Sequence, residues 1–223
     1  MELIHIERKV KTPKQAREAI GRFSEPSKMP CYAWSISAEH CITGKKLAKI
    51  HNSVCRECYA LKSFYMLLST KNAMNRRENT LQNRKDFVEN FILALQNEEH
   101  FRWFDSGDIQ SLEMLEDIVS IAKQTPNVKH WLPTKEALIV ARYLESGKKF
   151  PSNLTVRISA YIIDSENASN VTGLKSLVFT PKKFAERKTL GVFYCKAPEQ
   201  EKECKDCRAC WNQEIETIVY KKH

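Results

Sequence analysis

The sequence predicts an α/β fold, a partial (βα) barrel-like parallel sheet with a cysteine-rich C-terminal appendage. Short apolar strand candidates alternate with amphipathic helix candidates through the middle of the chain. This alternation is typical of parallel strands joined by right-handed crossovers. Only 6 of the 223 residues are glycine, which argues against glycine-rich phosphate loops and against all-β folds with many turns. The length suffices for one domain with a core of its own.

The N-terminal third contains one clear helix start and one clear apolar stripe. Thr12 suits an N-cap and Pro13 a first helical position, so we predict a short helix over residues 13–23. Residues 31–38 form a strand candidate after a proline-containing loop, and residues 59–97 have helical spacing. The stripe at helical spacing is assigned to the core and consists of Phe87, Val88, Phe91, Ile92 and Leu95.

The remaining elements follow in regular order. The strand candidates are residues 101–104, 128–132, 154–159, 177–180 and 191–195, and the helix candidates between them are residues 112–123 and 135–146. Gly147 suits the position that closes the second of these helices. We therefore predict an α/β partial-barrel domain with an N-terminal cysteine loop over residues 1–195. Residues 196–223 are predicted to form a cysteine-rich extension docked on it.

Polar residues follow three of the predicted strands. In parallel α/β folds ligands bind at the carboxyl ends of the strands, so these residues should line one rim. The predicted catalytic residues are Asp105, Asp108, Lys135 and Arg157, and the predicted cofactor-binding residues are Ser106, Gly107, Asp108 and Ser159. Two carboxylates flanking a glycine exceed what a helix cap needs. Helix capping by Ser111 and Thr134, and an ion pair of Arg157 with a rim aspartate, are the alternatives.

Net charge and hydropathy indicate which kinds of partner and which environment the chain can have. The chain carries 36 Lys and Arg against 27 Asp and Glu, for a net charge of +9, which is compatible with a polyanion such as nucleic acid, or a host protein, as partner. Scattered surface lysines are the alternative. The densest basic stretch contains Lys62, Lys71, Arg76, Arg77, Arg84 and Lys85. No apolar run approaches the ~20 residues that cross a bilayer, and the first ten residues do not resemble a secretory signal, so we expect a cytosolic protein without membrane contact.

Eight cysteines are the most specific feature of the sequence. Because cytosolic thiols stay reduced, clustered cysteines there indicate metal binding or catalysis more than disulfides. They fall into two sets by sequence position. The first set is Cys31, Cys41, Cys55 and Cys58, and the second is Cys195, Cys204, Cys207 and Cys210.

The second set is spaced like the ligands of an iron–sulfur cluster. Three cysteines in seven residues form a compact loop, and Cys195 is the distant fourth ligand. Zinc is the alternative metal, including one shared site built from Cys55, Cys58, Cys207 and Cys210. In the first set the number of ligands decides the role. If three thiols bind a four-iron cluster, one iron stays open to a substrate or cofactor. If four thiols bind it, no iron is open, and the cluster can only carry electrons or hold the structure. His40 and His51 could each replace a sulfur, but surface histidines without a ligand role are the favoured interpretation of both.

These motifs resemble the phage gene product 88 family. The matching segments are residues 34–38, Cys41 with Gly44, and residues 55–62, 105–108, 195–200, 204–211 and 219–223. The resemblance spans residues 29–223 and implies a phage-encoded protein that works in the bacterial cytoplasm.

The arrangement is also distantly similar to radical S-adenosylmethionine enzymes. The resemblance implies one or two 4Fe-4S clusters, with Cys41, Cys55 and Cys58 as ligands of the first. It further implies that Ser106, Gly107 and Asp108 bind S-adenosylmethionine, with Asp108 accepting from its ammonium group. The C-terminal cysteines would then resemble the auxiliary cluster that some of those enzymes carry. Lys135, Arg157 and Ser159 would hold the substrate.

Overall fold

The sheet is parallel throughout, as the sequence predicts. The structure, a computed structural model, describes residues 10–83 and 86–222. In that part of the chain the strands are β1 (Tyr32–Trp34), β2 (His100–Trp103), β3 (Lys129–Thr134), β4 (Leu154–Ser159), β5 (Lys175–Phe179), β6 (Phe193–Tyr194) and β7 (Thr217–Lys221). They form one sheet in the order β1-β2-β3-β4-β5-β7-β6, and every neighbouring pair is parallel. The predicted α/β class is confirmed.

The helices lie between the strands along the chain. They are α1 (Pro13–Ala19), α2 (Ile42–Leu47), α3 (Leu68–Asn83), α4 (Phe87–Ala94), α5 (Leu112–Gln124), α6 (Ala137–Glu145) and α7 (Pro181–Glu186). Helix α1 begins as predicted, because Thr12 and Gln15 form a reciprocal capping box. The predicted continuous helical stretch from residue 59 is instead two short 3-10 turns, Tyr59–Leu61 and Ser63–Met66, followed by α3 and α4.

One face of the sheet packs on helices and forms the main core. Alternate strand residues point to this face, since side chains in a strand alternate between the two sides. The buried cluster joins strand residues Phe101, Trp103, Leu132, Val156 and Ile158 to helix residues Phe87, Phe91, Leu115, Ile118 and Val140. The predicted stripe of α4 is therefore core, as expected.

The opposite face carries polar side chains and is covered by the C-terminal segment. Arg102 on β2 lies over the ring of Trp131 on β3, 4.8 Å from its centroid. The Trp211 indole packs edge-on against Trp131 and donates from Nε1 to the Phe101 carbonyl at 3.0 Å. Thr155 Oγ1 donates to the Trp211 carbonyl at 2.9 Å. The predicted docking of residues near 211 on the sheet thus has a specific hydrogen-bonded basis.

The end of the chain does more than the sequence predicts. Residues Thr217–Lys221 form β7, which lies between β5 and β6 within the sheet. These residues belong to the predicted cysteine-rich extension, and a five-residue strand after a long polar segment gives little signal in the sequence. Within the part of the chain that the structure describes, no helix is long and apolar enough to cross a membrane.

Candidate functional site

Asp108 lies at the carboxyl end of the sheet and joins two strand ends. Its Oδ1 accepts from Ile109 N–H at 2.8 Å and from the Thr134 hydroxyl at 2.5 Å, and its Oδ2 accepts from Lys135 N–H at 2.8 Å. Burial raises the pKa of Asp108 to about 6, although the hydrogen bonds from Thr134 and Lys135 lower it. The carboxylate is therefore fixed in orientation and is mostly ionised at neutral pH. Of the predicted rim residues, Asp108 and Lys135 meet as expected.

Glu136 fastens the cysteine loop to this end of the sheet. Its carboxylate accepts from Thr43 N–H at 2.8 Å and from the Thr43 hydroxyl at 2.7 Å, at the start of α2. Because Glu136 is buried, losing a hydrogen bond from Thr43 would leave its carboxylate without a partner and would destabilise the fold. Sequence reasoning missed this residue, because a glutamate at the start of α6 is indistinguishable from an ordinary helix-start acid.

A second tie runs from the cysteine loop to the segment after β4. Val54 N–H donates to the Tyr161 carbonyl at 2.9 Å, and Ser53 forms a bridge with Ile162. The Tyr161 hydroxyl in turn donates to the Lys135 carbonyl at 2.7 Å. The loop thus contacts the segments that follow the carboxyl ends of β3 and β4.

Cys41, Cys55 and Cys58 gather in this loop. Gly44 in α2 marks the point of convergence, since a Cβ built there would lie 3.6 Å from Cys41 Sγ and 3.7 Å from Cys55 Sγ. The same Cβ would lie 2.9 Å from Cys41 Cβ, so only glycine leaves this space free. Cys58 neighbours the other two closely enough to influence their ionisation.

The thiols and the rim residues share one electrostatic environment. Burial raises the pKa of Cys41 to about 12, and Asp108 raises it further, while Lys135 lowers it. Burial also raises the pKa of Cys55, with Lys135 again lowering it. Lys135 is therefore the cation that stands near both sulfurs. The predicted Cys41, Cys55 and Cys58 group thus lies beside the predicted Asp108 and Lys135.

Asp105 has a different environment from Asp108. Its carboxylate accepts from the hydroxyls of Ser24 at 3.1 Å, of Ser35, and of Tyr65 at 2.8 Å. Its carbonyl accepts from the Tyr59 hydroxyl at 2.5 Å. All of these bonds tie loops together, and the carboxylate oxygens are occupied by them. We therefore assign Asp105 to holding the site in place, against the catalytic role that the sequence suggested.

Ser106 and Gly107, the segment between the two aspartates, also differ from each other. Gly107 has φ of +80°, and a Cβ there would lie 2.5 Å from Ile36 Cγ1, so glycine is required by packing. The Ser106 hydroxyl is buried and has no hydrogen-bond partner among the described residues. A buried hydroxyl without a partner is costly, which makes Ser106 Oγ available to a bound group.

Arg157 does not face this rim. It is fully buried in β4, and its guanidinium donates to the carbonyls of Lys175 at 3.1 Å, Glu216 at 2.9 Å and Asn212 at 3.2 Å. The predicted role in holding substrate beside Lys135 is therefore wrong for Arg157, because its donors are committed to backbone carbonyls around the C-terminal segment. Ser159 ends β4 and is partly exposed at the predicted edge.

The described residues of the basic stretch differ in their exposure. Arg77 is buried and donates to the Arg22 carbonyl at 2.7 Å, and Arg76 donates to the Gly21 carbonyl at 3.3 Å. Lys71 lies 3.5 Å from Glu39, whereas Lys62 is exposed. Arg84 and Lys85 lie outside the described residues, as does His223 at the end of the last matching segment. Among the four described residues of this stretch Arg77 is buried, and nucleic acid as a partner stays a prediction.

The two histidines near the first cysteines have other surroundings. His40 Nδ1 lies 2.7 Å from Glu78 Oε1, and His51 is exposed. The His40 ring thus contacts Glu78 of helix α3.

The remaining cysteines form a second group, and the structure moves Cys31 into it. Burial raises the pKa of Cys31 to about 12, and its charged neighbours include Arg102, Cys204 and Arg208. Cys195 neighbours Cys204 and Cys207, and Cys210 neighbours Cys195 and Cys204. Among the thiols, the charged neighbour of Cys31 is thus Cys204 of the second set, whereas Cys41 neighbours Cys55 and Cys58. The shared zinc site is also unsupported, since Cys55 and Cys207 have different neighbours.

No three His, Cys, Asp or Glu side chains within residues 10–83 and 86–222 converge tightly enough to hold a single metal ion. The fold and the rim define a parallel α/β protein with two separate cysteine groups on one sheet.

Comparison with protein families assigns the chain. The model of the family described as gene product 88 matches residues 5–213, so the chain belongs to this family of phage proteins. Comparison with curated proteins and with solved structures finds no match.

Proposed function

We propose that this protein is an iron–sulfur enzyme similar to radical S-adenosylmethionine enzymes, with a cluster held by Cys41, Cys55 and Cys58. The observation that carries the proposal is the approach of Cys41 Sγ and Cys55 Sγ to the space left free by Gly44, at the carboxyl end of a parallel sheet. This edge is where α/β proteins bind their ligands.

The residues present fit such a group. Thiolates are the ligands of iron–sulfur clusters, and the glycine leaves room where any larger residue would meet Cys41. Lys135 supplies positive charge next to thiols that burial otherwise keeps protonated. Zinc is the alternative metal for the same thiols.

Three thiols rather than four favour a reactive site over a closed one. With Cys31 in the other group, this group has three cysteines. A four-iron cluster on three thiolates keeps one position for a substrate or cofactor. When bound, the cluster and S-adenosylmethionine would supply the one-electron chemistry for hydrogen abstraction from a substrate.

The chain's own residues would then bind and orient the cofactor. Asp108 is held by three hydrogen bonds and carries a negative charge at neutral pH, so it can accept from an ammonium group without turning. The unpartnered Ser106 hydroxyl is a second contact for a polar group. Lys135 and Ser159 remain the residues for the substrate side, with Arg157 removed from that set.

The expected setting is the cytoplasm of the bacterial host. Its thiols are kept reduced, which preserves free cysteines as metal ligands. The expectation of a nucleic-acid or host-protein partner stays a prediction.

The test is anaerobic incubation of iron-loaded protein with S-adenosylmethionine and a strong reductant. We expect methionine and 5′-deoxyadenosine to form, and Cys58→Ser to abolish both. Lys45→Ala, an exposed change in α2, is the matched control and should leave product formation intact. Iron-loaded protein that forms neither product would overturn the enzymatic proposal.

A further inference from the structure

We propose that Cys31 is one of the four ligands of a second iron–sulfur centre, and that the other three come from Cys195, Cys204, Cys207 and Cys210. This centre would tie the loop before β1 to the C-terminal segment. The inference rests on the proposed function only for the type of metal group, and the cysteines involved are different ones.

The backbone brings the loop before β1 to the C-terminal cysteines. Cys204 N–H donates to the Lys28 carbonyl at 3.0 Å. Arg102 on β2 reaches the same loop, with Nη1 2.9 Å from Met29 Sδ. The first contact holds Lys28 against the turn that starts at Cys204, and the second holds Met29 against β2.

Cys204 is the centre of the group. Cys31, Cys195 and Cys210 each have Cys204 among their charged neighbours, and Cys204 itself neighbours Cys207. The turn is closed by Cys207 N–H, which donates to the Cys204 carbonyl at 2.9 Å. Cys195 N–H donates to the Val219 carbonyl at 2.9 Å, which anchors the distant cysteine to β7.

Two arginines near these thiols each have a buried donor without a partner. Arg102 Nε and Arg157 Nε are buried and have no hydrogen-bond partner among the described residues. Both arginines are charged neighbours of Cys210, whose sulfur lies 3.1 Å from the Tyr220 hydroxyl. Unpaired buried N–H groups are rare in folded proteins, so their presence next to thiols needs an acceptor. Thiolates and bridging sulfides carry the negative charge that would provide one.

A cluster explains the arrangement better than a single ion. One ion needs all its donors around a single point, and the described residues include no such group. In a four-iron cluster each thiolate binds a different iron, so the cysteines are neighbours that do not meet at one point. Five thiols exceed the four that such a cluster takes, and Cys31 is assigned as one of the four through its proximity to Cys204.

Two variants, each lacking cysteines of one group, allow the two centres to be measured separately, and each serves as a background for Cys31→Ser. The first carries Cys41→Ser, Cys55→Ser and Cys58→Ser and keeps only the second group. The second carries Cys195→Ser, Cys204→Ser, Cys207→Ser and Cys210→Ser and keeps the first group, with Cys31 as the one remaining thiol of the second group. Iron, acid-labile sulfide and the electron paramagnetic resonance spectrum are measured after anaerobic reconstitution, with and without Cys31→Ser. We expect Cys31→Ser to remove most of the iron from the first background, or to change its spectrum, and to leave the second background unchanged.

The outcomes distinguish this inference from the proposed function. Iron in the first background alone supports the second centre and contradicts the proposed function. Iron in the second background alone supports the proposed function and contradicts the second centre. A spectrum that Cys31→Ser changes only in the second background would overturn the inference even if both backgrounds bind iron.

A metal-free measurement tests the placement of Cys31 directly. Diamide oxidises two neighbouring thiols to a disulfide and is itself reduced, and peptide mapping then identifies the pair. In chelator-treated full-length protein we expect Cys31 to pair with Cys204 or another member of its group. Pairing of Cys31 with Cys41, Cys55 or Cys58 would overturn the inference.

Discussion

Asp105 and Asp108 stand three residues apart in one loop, and their contacts give them different tasks. Asp105 is bound by hydroxyls of Ser35 and Tyr65 that belong to distant loops. Asp108 is bound by groups at the end of β3 and lies beside the thiols. The sequence alone shows two carboxylates flanking a glycine and cannot separate them, because the partners come from other parts of the chain.

Removing the Asp105 carboxylate should destabilise the fold. Asp105→Ala leaves the buried Ser35 hydroxyl and the Tyr65 hydroxyl without their acceptor, so we expect the free energy of unfolding to fall by about 3 kcal/mol. Chemical denaturation measures it, with the exposed Glu99→Ala as control. If Asp105→Ala lowers the free energy of unfolding no more than the control does, the hydrogen bonds to Asp105 do not stabilise the fold.

Gly44 should be required for metal binding but not for folding. Alanine is the better helix former by about 1 kcal/mol, so Gly44→Ala in α2 should not unfold the chain. Its Cβ would stand 2.9 Å from Cys41 Cβ and fill the space beside both sulfurs. We expect iron binding after reconstitution to fall strongly, while Lys45→Ala retains it. Full iron content in Gly44→Ala would contradict the placement of the cluster.

At the scale of elements, strands were predictable and the partners of their polar faces were not. The apolar runs of β2, β3 and β4 indicated parallel strands, and β4 has the predicted bounds of residues 154–159. Periodicity could not reveal that Arg157 points to the C-terminal segment, since that requires knowing what covers the second face. The regrouping of Cys31 has the same cause. Cys31 precedes β1 and Cys41 follows it, so the two cysteines lie at opposite ends of this strand.

Arg157 should secure the C-terminal segment to β4 and β5. Arg157→Met leaves the carbonyls of Lys175, Asn212 and Glu216 without a buried donor, so we expect the free energy of unfolding to fall by about 3 kcal/mol or more. Limited proteolysis should show earlier cleavage near residue 212. The exposed Arg142→Met on α6 is the matched control. Unchanged stability and cleavage would contradict this bracing role.

His130 on β3 should make the fold sensitive to acid. Burial lowers the pKa of His130 from 6.5 to about 3, and its Nδ1 accepts from Trp103 Nε1 at 3.3 Å. Below pH 6.5 His130 is protonated in the unfolded chain but stays neutral in the folded chain. The free energy of unfolding therefore falls as the pH drops from 6.5 towards 3. The slope from this group is at most about 1.4 kcal/mol per pH unit.

The comparison with His130→Gln isolates that contribution. Free energies of unfolding are measured by urea denaturation at several values between pH 7 and pH 4. The variant should show a shallower decline than the wild-type chain, whatever its stability at pH 7. Parallel curves would show that His130 does not titrate as its burial requires.

At the scale of the whole molecule, the sheet places two cysteine groups in separate surroundings. The first lies over the carboxyl ends of β3 and β4, where Glu136 and Tyr161 hold its loop. The second joins the loop before β1 to the segment between β6 and β7. Family membership and the parallel α/β class followed from motifs in the sequence, whereas this division depends on β7 entering the sheet beside β5.

The most direct measurement is iron and acid-labile sulfide per chain, with the absorption spectrum, on protein purified without oxygen. We expect a brown protein with equal amounts of iron and sulfide, which loses part of both in Cys41→Ser/Cys55→Ser/Cys58→Ser and part in Cys204→Ser/Cys207→Ser. A colourless protein containing zinc alone, or free thiols without metal, would contradict the account.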